Sequence, residues 1–436
     1  MIAGIRTLAG PGGIPQQLRL AVAELPDLTA ELPWQGDRQA FGSSWESDEQ
    51  AVRGAVGEAA ERYCAPWPRP AAETLHGSWH VLRRRGVEAL DPTALALGPA
   101  TTTAAGVRFT PFTRDSEVSW VRGRSLSRAC EVYVPAFLVH AGWPQMPGGR
   151  REALHCFPVV GGLAAGPTEE FAQHSGLEEV VERDTTAIWW ANAPVLPAVP
   201  VDAGLAALLT PAERSFEVRL VPLDNLFGVP VLAAAVRDTE RGWLTVGAAA
   251  RPDPREAARK ALAEAYLLQL TALSLDNPRT AAALGAGTSR SPLKPWRADR
   301  RYLDSYRADF ADVREQLCQQ QLHLDPRAAD RVAAWTWDLP TRAWDGLPAL
   351  PDPAPAALRA RVEDAGHEVL WVDLTTPAAT RAGLRAGRIV VPGTVCTTPA
   401  AFPVPAGRVV AAGVRLGWRE RAARAGELNT FPMPHS

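Results

Sequence analysis

The sequence predicts an α/β fold, with sheets packed by helices around a single site, and a pattern that recurs three times is the main reason. "SDEQAVRGAVGEAAERYC" from Ser47, "TEEFAQHSGLEEVVERDT" from Thr168 and "DPREAARKALAEAYLLQL" from Asp253 align when Glu58, Glu179 and Glu264 are superposed. Eleven residues before each glutamate stands a helix N-cap type: Ser47, Thr168 or Asp253. Acidic residues crowd each first turn, where the helix dipole favours them, and Pro254 occupies a first-turn position that tolerates proline. Seven residues before the glutamate each copy has alanine (Ala51, Ala172, Ala257), and three before it a small residue (Ala55, Gly176, Ala261). Two before it stands a branched apolar residue (Val56, Leu177, Leu262). Such a face lets a helix lie close against a sheet. The glycine-rich or small-residue stretches "FGSSWE", "GGLAAGP" and "VGAAARP" precede the three copies, so each reads as a strand, a turn and a capped helix.

Taken in chain order, residues 1–40 read as a lead-in segment with one amphipathic stretch, "PQQLRLAVAEL". Residues 41–415 read as one interlaced α/β domain holding the three units. Its proline-rich pieces "NAPVLPAVPVD" and "DGLPALPDPAPAAL" are expected to be surface connections. "DVREQLCQQQLHLDPRAADRVAAW" has helical periodicity and reads as structural. In residues 416–436 the ending "ELNTFPMPHS" cannot form regular structure, because Pro432 and Pro434 fix φ and remove backbone donors.

Composition narrows the function. With 436 residues, 46% hydrophobic and 22% charged, the chain is globular. No apolar run approaches the roughly 20 residues of a membrane span, and the N-terminus makes a poor signal peptide, so a cytoplasmic protein is expected. A net charge of −2 without a basic run argues against nucleic acid as partner. Only Lys260 and Lys294 among the 46 basic residues are lysines, which reads as genomic base composition rather than as a phosphate-binding design. The five cysteines are scattered without a CxxC pair, offer no zinc-ligand spacing, and are expected to be reduced and buried. There is no GxxxxGK[ST], HExxH or GxSxG. His76 and His80 lie four apart, but Gly77 weakens a helix between them.

Alone, Glu58 and Glu61 would read as a solvated helix face, since residues three apart share a face whatever they do. The repeat shifts the balance. It sets Glu58, Glu179 and Glu264 at one depth on three neighbouring helices, and Glu61 and Glu182 add a second carboxylate to the first two. Five converging carboxylates repel one another unless a cation compensates, and Mg²⁺, which takes oxygen ligands and bridges to phosphates, is the expected one. A nucleotide site built on glutamates follows, with phosphoryl transfer by positioning and electrostatics.

These residues resemble the YcaO superfamily, ATP-dependent enzymes that modify backbone amides of peptides. The three repeated stretches resemble its three motifs, the second including Arg183-Asp184 and the tryptophans that follow. "VSWVRGRSL" with "VYVPAFLVH", "LWVDLTTP" with "VVPG", and the ending "LNTFPMPHS" resemble its azoline-forming branch. The resemblance implies that Glu58, Glu61, Glu179, Glu182 and Glu264 hold Mg²⁺ and through it ATP, with Ser47 and Arg62 as further cofactor contacts. For Arg62 and Arg183 a structural salt bridge is the alternative reading. It also implies that the 416–436 tail threads into the active site, so Glu179, Glu182 and Pro434 are the expected catalytic residues.

Three departures from the family pattern concern nucleotide contacts. Ser44 stands where a loop lysine is frequent, Val160-Gly161-Gly162 replaces Ser-Asn-Gly, and Gln269 is the nearest match to a glutamine of the third motif. Residues 1–40 are too short for a fused zinc-bearing peptide-binding region, so a stand-alone catalytic subunit is expected. The implied function is ATP-dependent cyclodehydration of a ribosomal precursor peptide to thiazolines or oxazolines. Thioamide or amidine formation, or a non-catalytic peptide- or nucleotide-binding role, are the alternatives. Implied partners are the precursor peptide, a leader-binding E1-like (ThiF-like) protein, an FMN-dependent azoline dehydrogenase and a second copy in a homodimer.

Overall fold

The computed structural model describes residues 1–8, 11–31, 38–67, 73–97, 101–103, 106–143, 152–158, 161–289, 291–352, 354–402, 404–424 and 426–435. Three antiparallel sheets carry these residues. The first runs β1 (Gly4–Leu8), β2 (Arg19–Glu24), β3 (Gln39–Ser44), in register from Gly4 opposite Glu24 to Arg19 opposite Ser44. The second has the order β4 (Thr74–Gly77), β7 (Val118–Ser125), β13 (Leu370–Asp373), β14 (Arg385–Val390), β9 (Leu163–Gly166), and β8 (Cys130–Pro135) also pairs with β7. The third runs β10 (Phe216–Pro222), β11 (Val231–Asp238), β12 (Leu244–Ala250). A small hairpin joins β5 (Thr101–Thr102) to β6 (Arg108–Phe109).

Each sheet ends on a strand that leads into a long helix: β3 into α1 (Asp48–Cys64), β9 into α3 (Glu169–Asn192) and β12 into α5 (Pro254–Asp276). Between α1 and α3 lies α2 (Trp79–Arg84), and between α3 and α5 lies α4 (Ala203–Leu209). The three N-caps are Ser47, Thr168 and Asp253; their side-chain oxygens accept from the N–H groups of Gln50, of Phe171, and of Arg255 and Glu256.

Small residues let the helices touch the strands. Ala51, Ala55 and Ala59 of α1 are wholly buried against Ala21, Ala23 and Ala40. A Cβ placed on Gly42 of β3 would lie 1.9 Å from the carbonyl oxygen of Ala51, and one on Gly247 of β12 would lie 2.2 Å from that of Ala261. In the second unit the close approach comes from the helix: a Cβ on Gly176 would meet the Gly162 carbonyl oxygen at 2.8 Å. Strand β12 is buried along its whole length, which explains its uninterrupted apolar "LTVGAAA".

The structure redraws the first boundary. Residues 1–40 are no separate lead-in: β1 and β2 are two of the three strands on which α1 lies, and a division at 40 cuts through β3. The stretch "PQQLRLAVAEL" supplies β2. The connection over residues 192–202 is less superficial than its prolines suggest, since Leu196, Ala198 and Val199 are buried and Ala198 and Val199 bridge to Thr341 and Leu220. After α6 (Pro278–Ala283), the helical stretch divides at Asp325-Pro326 into α7 (Gln316–Leu322) and α8 (Pro326–Thr336). Helices α9 (Ala354–Asp364), α10 (Pro377–Arg381) and α11 (Ala406–Arg415) complete the chain. No helix among the described residues is long and apolar enough to cross a membrane.

Candidate active site

Backbone N–H groups on or beside the edge strands β3, β9 and β12 are free of the ladders, and in the first two units helix glutamates accept from them. Glu58 Oε2 accepts from the Phe41 N–H at 2.7 Å, and Glu179 Oε2 accepts from the Gly162 N–H at 2.9 Å. Both donors lie seventeen residues before their glutamate, so the two units repeat the contact. Glu61 crosses between units, its Oε1 accepting from the Ala165 N–H of β9 at 3.1 Å. In the third unit the edge N–H of Val246 is taken instead by the Pro434 carbonyl at 2.9 Å.

Burial sets the electrostatics. Glu61 is held well above the usual carboxylate range by desolvation, and Glu179 and Glu58 push it the same way. Desolvation also raises Glu179, against the pull of Arg183 and the Gly162 N–H. Glu182 is pushed up to about 8 by desolvation and then by Glu264. The negative charge is only partly answered. Burial opposes the charge of Arg183, yet Glu182 and Glu179, each 3.6 Å from its Nε, keep it firmly protonated. Arg388, buried on β14, donates to the Gly161 carbonyl at 2.9 Å and lies within electrostatic reach of Glu179. Lys260 Nζ stands 3.3 Å from Glu264 Oε1, and Arg62 pairs with Glu58, its Nε donating at 3.0 Å. Arg62 is thus engaged in a structural salt bridge on α1.

The donor set fits a hard divalent cation: carboxylate oxygens dominate, and with Glu182 buried and Glu58, Glu61, Glu179 and Glu264 half-buried, their charge without a counter-ion is costly. Glu182, Glu264 and His435 each bring one ligand atom into a group spanning no more than 4.8 Å. Among the described residues no other group of three or more such side chains comes together, His76 and His80 included.

Residues 429–435 enter this region through a set of carbonyls. Trp190 Nε1 donates to the Phe431 carbonyl at 2.6 Å, His323 Nε2 lies 2.8 Å from the Pro432 carbonyl, and Gln319 donates to the His435 carbonyl at 3.4 Å. Phe431, Met433 and His435 are buried. Sequence reasoning missed His435, His323, Gln319 and Arg388; the Arg183–His435 contact joins residues 252 apart, and no local pattern carries it.

The other expected contacts fall as follows. Ser47 caps α1. Ser44, at the loop-lysine position, donates to Glu46 at 2.8 Å. Val160 lies outside the described residues. Gln269 is fully buried, donating to the Val236 carbonyl and to Thr245 and accepting from Trp243, which makes it a packing residue of the third sheet. Of the cysteines, Cys64 and Cys318 are buried, whereas Cys130, Cys156 and Cys396 are partly accessible; all are free.

Residues 45–395 match the family described as YcaO cyclodehydratase, ATP- and Mg²⁺-binding. The chain belongs to the YcaO family. ATP and Mg²⁺ are accordingly its nucleotide and metal. An uncharacterised protein of Methanothermobacter thermautotrophicus is 31% identical to this YcaO chain over 226 residues, 49% of this chain and 53% of that protein. An uncharacterised protein from the tfuA 3′ region of Rhizobium leguminosarum is 28% identical over 176 residues, 36% and 40% of the two chains. The matches thus span about half or less of these relatives. The fold is that of a heterocyclase solved with substrate and cofactor (TM-score 0.66, 20% identity, 99% of this chain, 55% of that one). It is also that of YcaO from Methanopyrus kandleri bound with AMPPCP and Mg²⁺ (TM-score 0.58, 21% identity, 90% and 86%). The E. coli microcin synthetase McbBCD complex contains the same fold (TM-score 0.58, 11% identity, 96% and 93%).

Proposed function

We propose that this YcaO protein is an ATP-dependent cyclodehydratase that forms thiazolines or oxazolines from Cys, Ser or Thr residues of a ribosomal precursor peptide. One observation carries the reading: carboxylates from three helices lie within electrostatic reach of one another, Glu182 and Glu264 close enough to share an ion, and the nearby cations only partly neutralise them. Glu58, Glu61, Glu179, Glu182 and Glu264 would hold Mg²⁺, whose charge offsets that of the ATP phosphates. Ser47 and Arg62 would contribute to the nucleotide site, Arg62 through its pairing with Glu58.

The chemistry needs ATP because an amide oxygen leaves poorly. The thiol or hydroxyl of the substrate residue adds to the preceding backbone carbonyl, losing its proton and forming a C–S or C–O bond. The resulting oxyanion attacks the γ-phosphorus of ATP, an O–P bond forms, and ADP departs. The C–O(P) bond then breaks, phosphate leaves, the nitrogen loses its proton and the C=N bond of the azoline forms. Glu179, Glu182 and the segment at Pro434 would line the reacting centre. The solved relatives support a peptide substrate, since one is a heterocyclase with bound substrate and another a multi-protein synthetase with pro-MccB17 bound. The partners follow by the same reading: the precursor, an E1-like (ThiF-like) leader-binding protein, an FMN-dependent dehydrogenase and a second copy of the chain.

Glu179→Gln tests it. The variant is expected to fold as the wild type and to lose ATP turnover by about 100-fold or more, the scale of removing one transition-state electrostatic contact. Wild type with precursor, partner, ATP and Mg²⁺ should give peptide lighter by one water per modified residue. A mass gain matching oxygen-to-sulfur exchange would mark a thioamide-forming enzyme. Full activity in Glu179→Gln would sink the catalytic reading.

A further inference from the structure

The three units are unequal, and the 429–435 segment makes up the difference. The first two carry a second carboxylate one turn after the aligned glutamate, Glu61 and Glu182, whereas the third has Leu267 there. Beside Glu264 the missing donor is replaced from elsewhere in the chain. The Val246 N–H fixes the Pro434 carbonyl at 2.9 Å, and the His435 N–H donates to the Met433 carbonyl at 2.8 Å. This turn delivers the His435 imidazole, 5% exposed, to Glu182 and Glu264, with one ligand atom of each of the three within 4.8 Å of the others.

Arg183 Nη1 lies 3.3 Å from His435 Nδ1; a guanidinium can only donate, so Nδ1 presents its lone pair. A lone pair that receives a cationic N–H can equally receive a metal ion. Arg183 has somewhere to go when displaced, since Glu179 and Glu182 both stand 3.6 Å from its Nε.

We propose that His435 is a metal ligand carried in by the C-terminal segment, completing with Glu182 and Glu264 a two-carboxylate, one-imidazole site for a divalent cation. The proposal rests on reading the glutamates as metal ligands; what it adds is the nitrogen. Imidazole is a poor ligand for Mg²⁺, which prefers oxygen and water, and a good one for later divalent metals. The two carboxylates suit Mg²⁺, and the added nitrogen extends the site to divalent ions that accept imidazole, with Mn²⁺ as a paramagnetic probe. It also couples metal to segment: an ion that binds only when His435 is seated must, by linkage, hold the segment in place.

Electron spin-echo spectroscopy of Mn²⁺ added to the full-length protein tests this directly. The expected signal is nitrogen modulation in the wild type, without nucleotide and with a non-hydrolysable ATP analogue, and its loss in His435→Gln. The Mn²⁺ dissociation constant should rise by about tenfold or more in that variant, since even outer-shell partners of a ligand are felt on this scale; the constant for Mg²⁺ should move less. Bound Mn²⁺ without nitrogen modulation, or modulation that persists in His435→Gln, would overturn the proposal. Calorimetry of Mg²⁺ with the ATP analogue separates the two readings. If nucleotide binds normally while nitrogen is absent, only the role of His435 falls; if neither metal nor nucleotide binds, the glutamate reading falls with it.

Discussion

Glu182 is the residue whose chemistry is most exposed to test. Its ordinary value is 4.5, and burial and Glu264 raise it to about 8 in the folded protein. A carboxyl raised on folding favours the native state below its unfolded value, and that contribution is lost as pH climbs through the folded value. The metal-free protein should therefore lose thermal stability between about pH 4.5 and pH 8. Glu182→Gln should flatten this slope, and Mg²⁺ with an ATP analogue should restore stability at the alkaline end, because the metal binds the ionised form. Differential scanning fluorimetry across that range reads all three; a wild-type melting temperature rising steadily over it would contradict the assignment. The glutamates could be found in the sequence because a repeat fixes register, and register on a helix fixes direction. Arg388 and His435 could not, because their partners are distant in sequence and an arginine in an arginine-rich chain carries no signal of its own.

At the scale of elements, the decisive contacts are between backbones. Gly247→Ala would press a methyl to 2.2 Å from the Ala261 carbonyl oxygen and 2.5 Å from the Ala265 nitrogen, neither of which can turn aside as a side chain would. The expected cost is about 2 kcal/mol or more, from overpacking. Gly407→Ala in α11 has nothing within 4 Å and should be neutral or slightly stabilising. Urea denaturation of the two variants checks the contrast, and equal midpoints would mean that α5 can shift off the sheet. Helix starts were legible because N-caps act locally, as Ser47, Thr168 and Asp253 do. Strand β2 was harder to recognise, since Leu20, Ala21, Val22 and Ala23 are all buried and leave no alternation to read. The run from Asp312 to Trp335 kept one helical period across a break, because Asp325-Pro326 ends one helix and caps the next.

Over the whole molecule, the division between lead-in and body dissolves. The first forty residues build the sheet under α1, and the last described ones lie beside Glu182 and Glu264. Both associations are long-range, and sequence patterns record periodicity better than partnership. The arrangement has a consequence for solubility. Each sheet stops at a strand whose unpaired N–H groups could template a strand from another molecule. Phe41, Gly162 and Ala165 are instead covered by carboxylates, and Val246 by a carbonyl of proline, a residue with no N–H to extend a ladder. These carboxylates thus act as guards against edge-to-edge association. Glu61→Gln, which keeps an oxygen on the edge, should stay monodisperse by light scattering, whereas Glu61→Ala should aggregate; equal behaviour would show that the β9 edge is protected by other means.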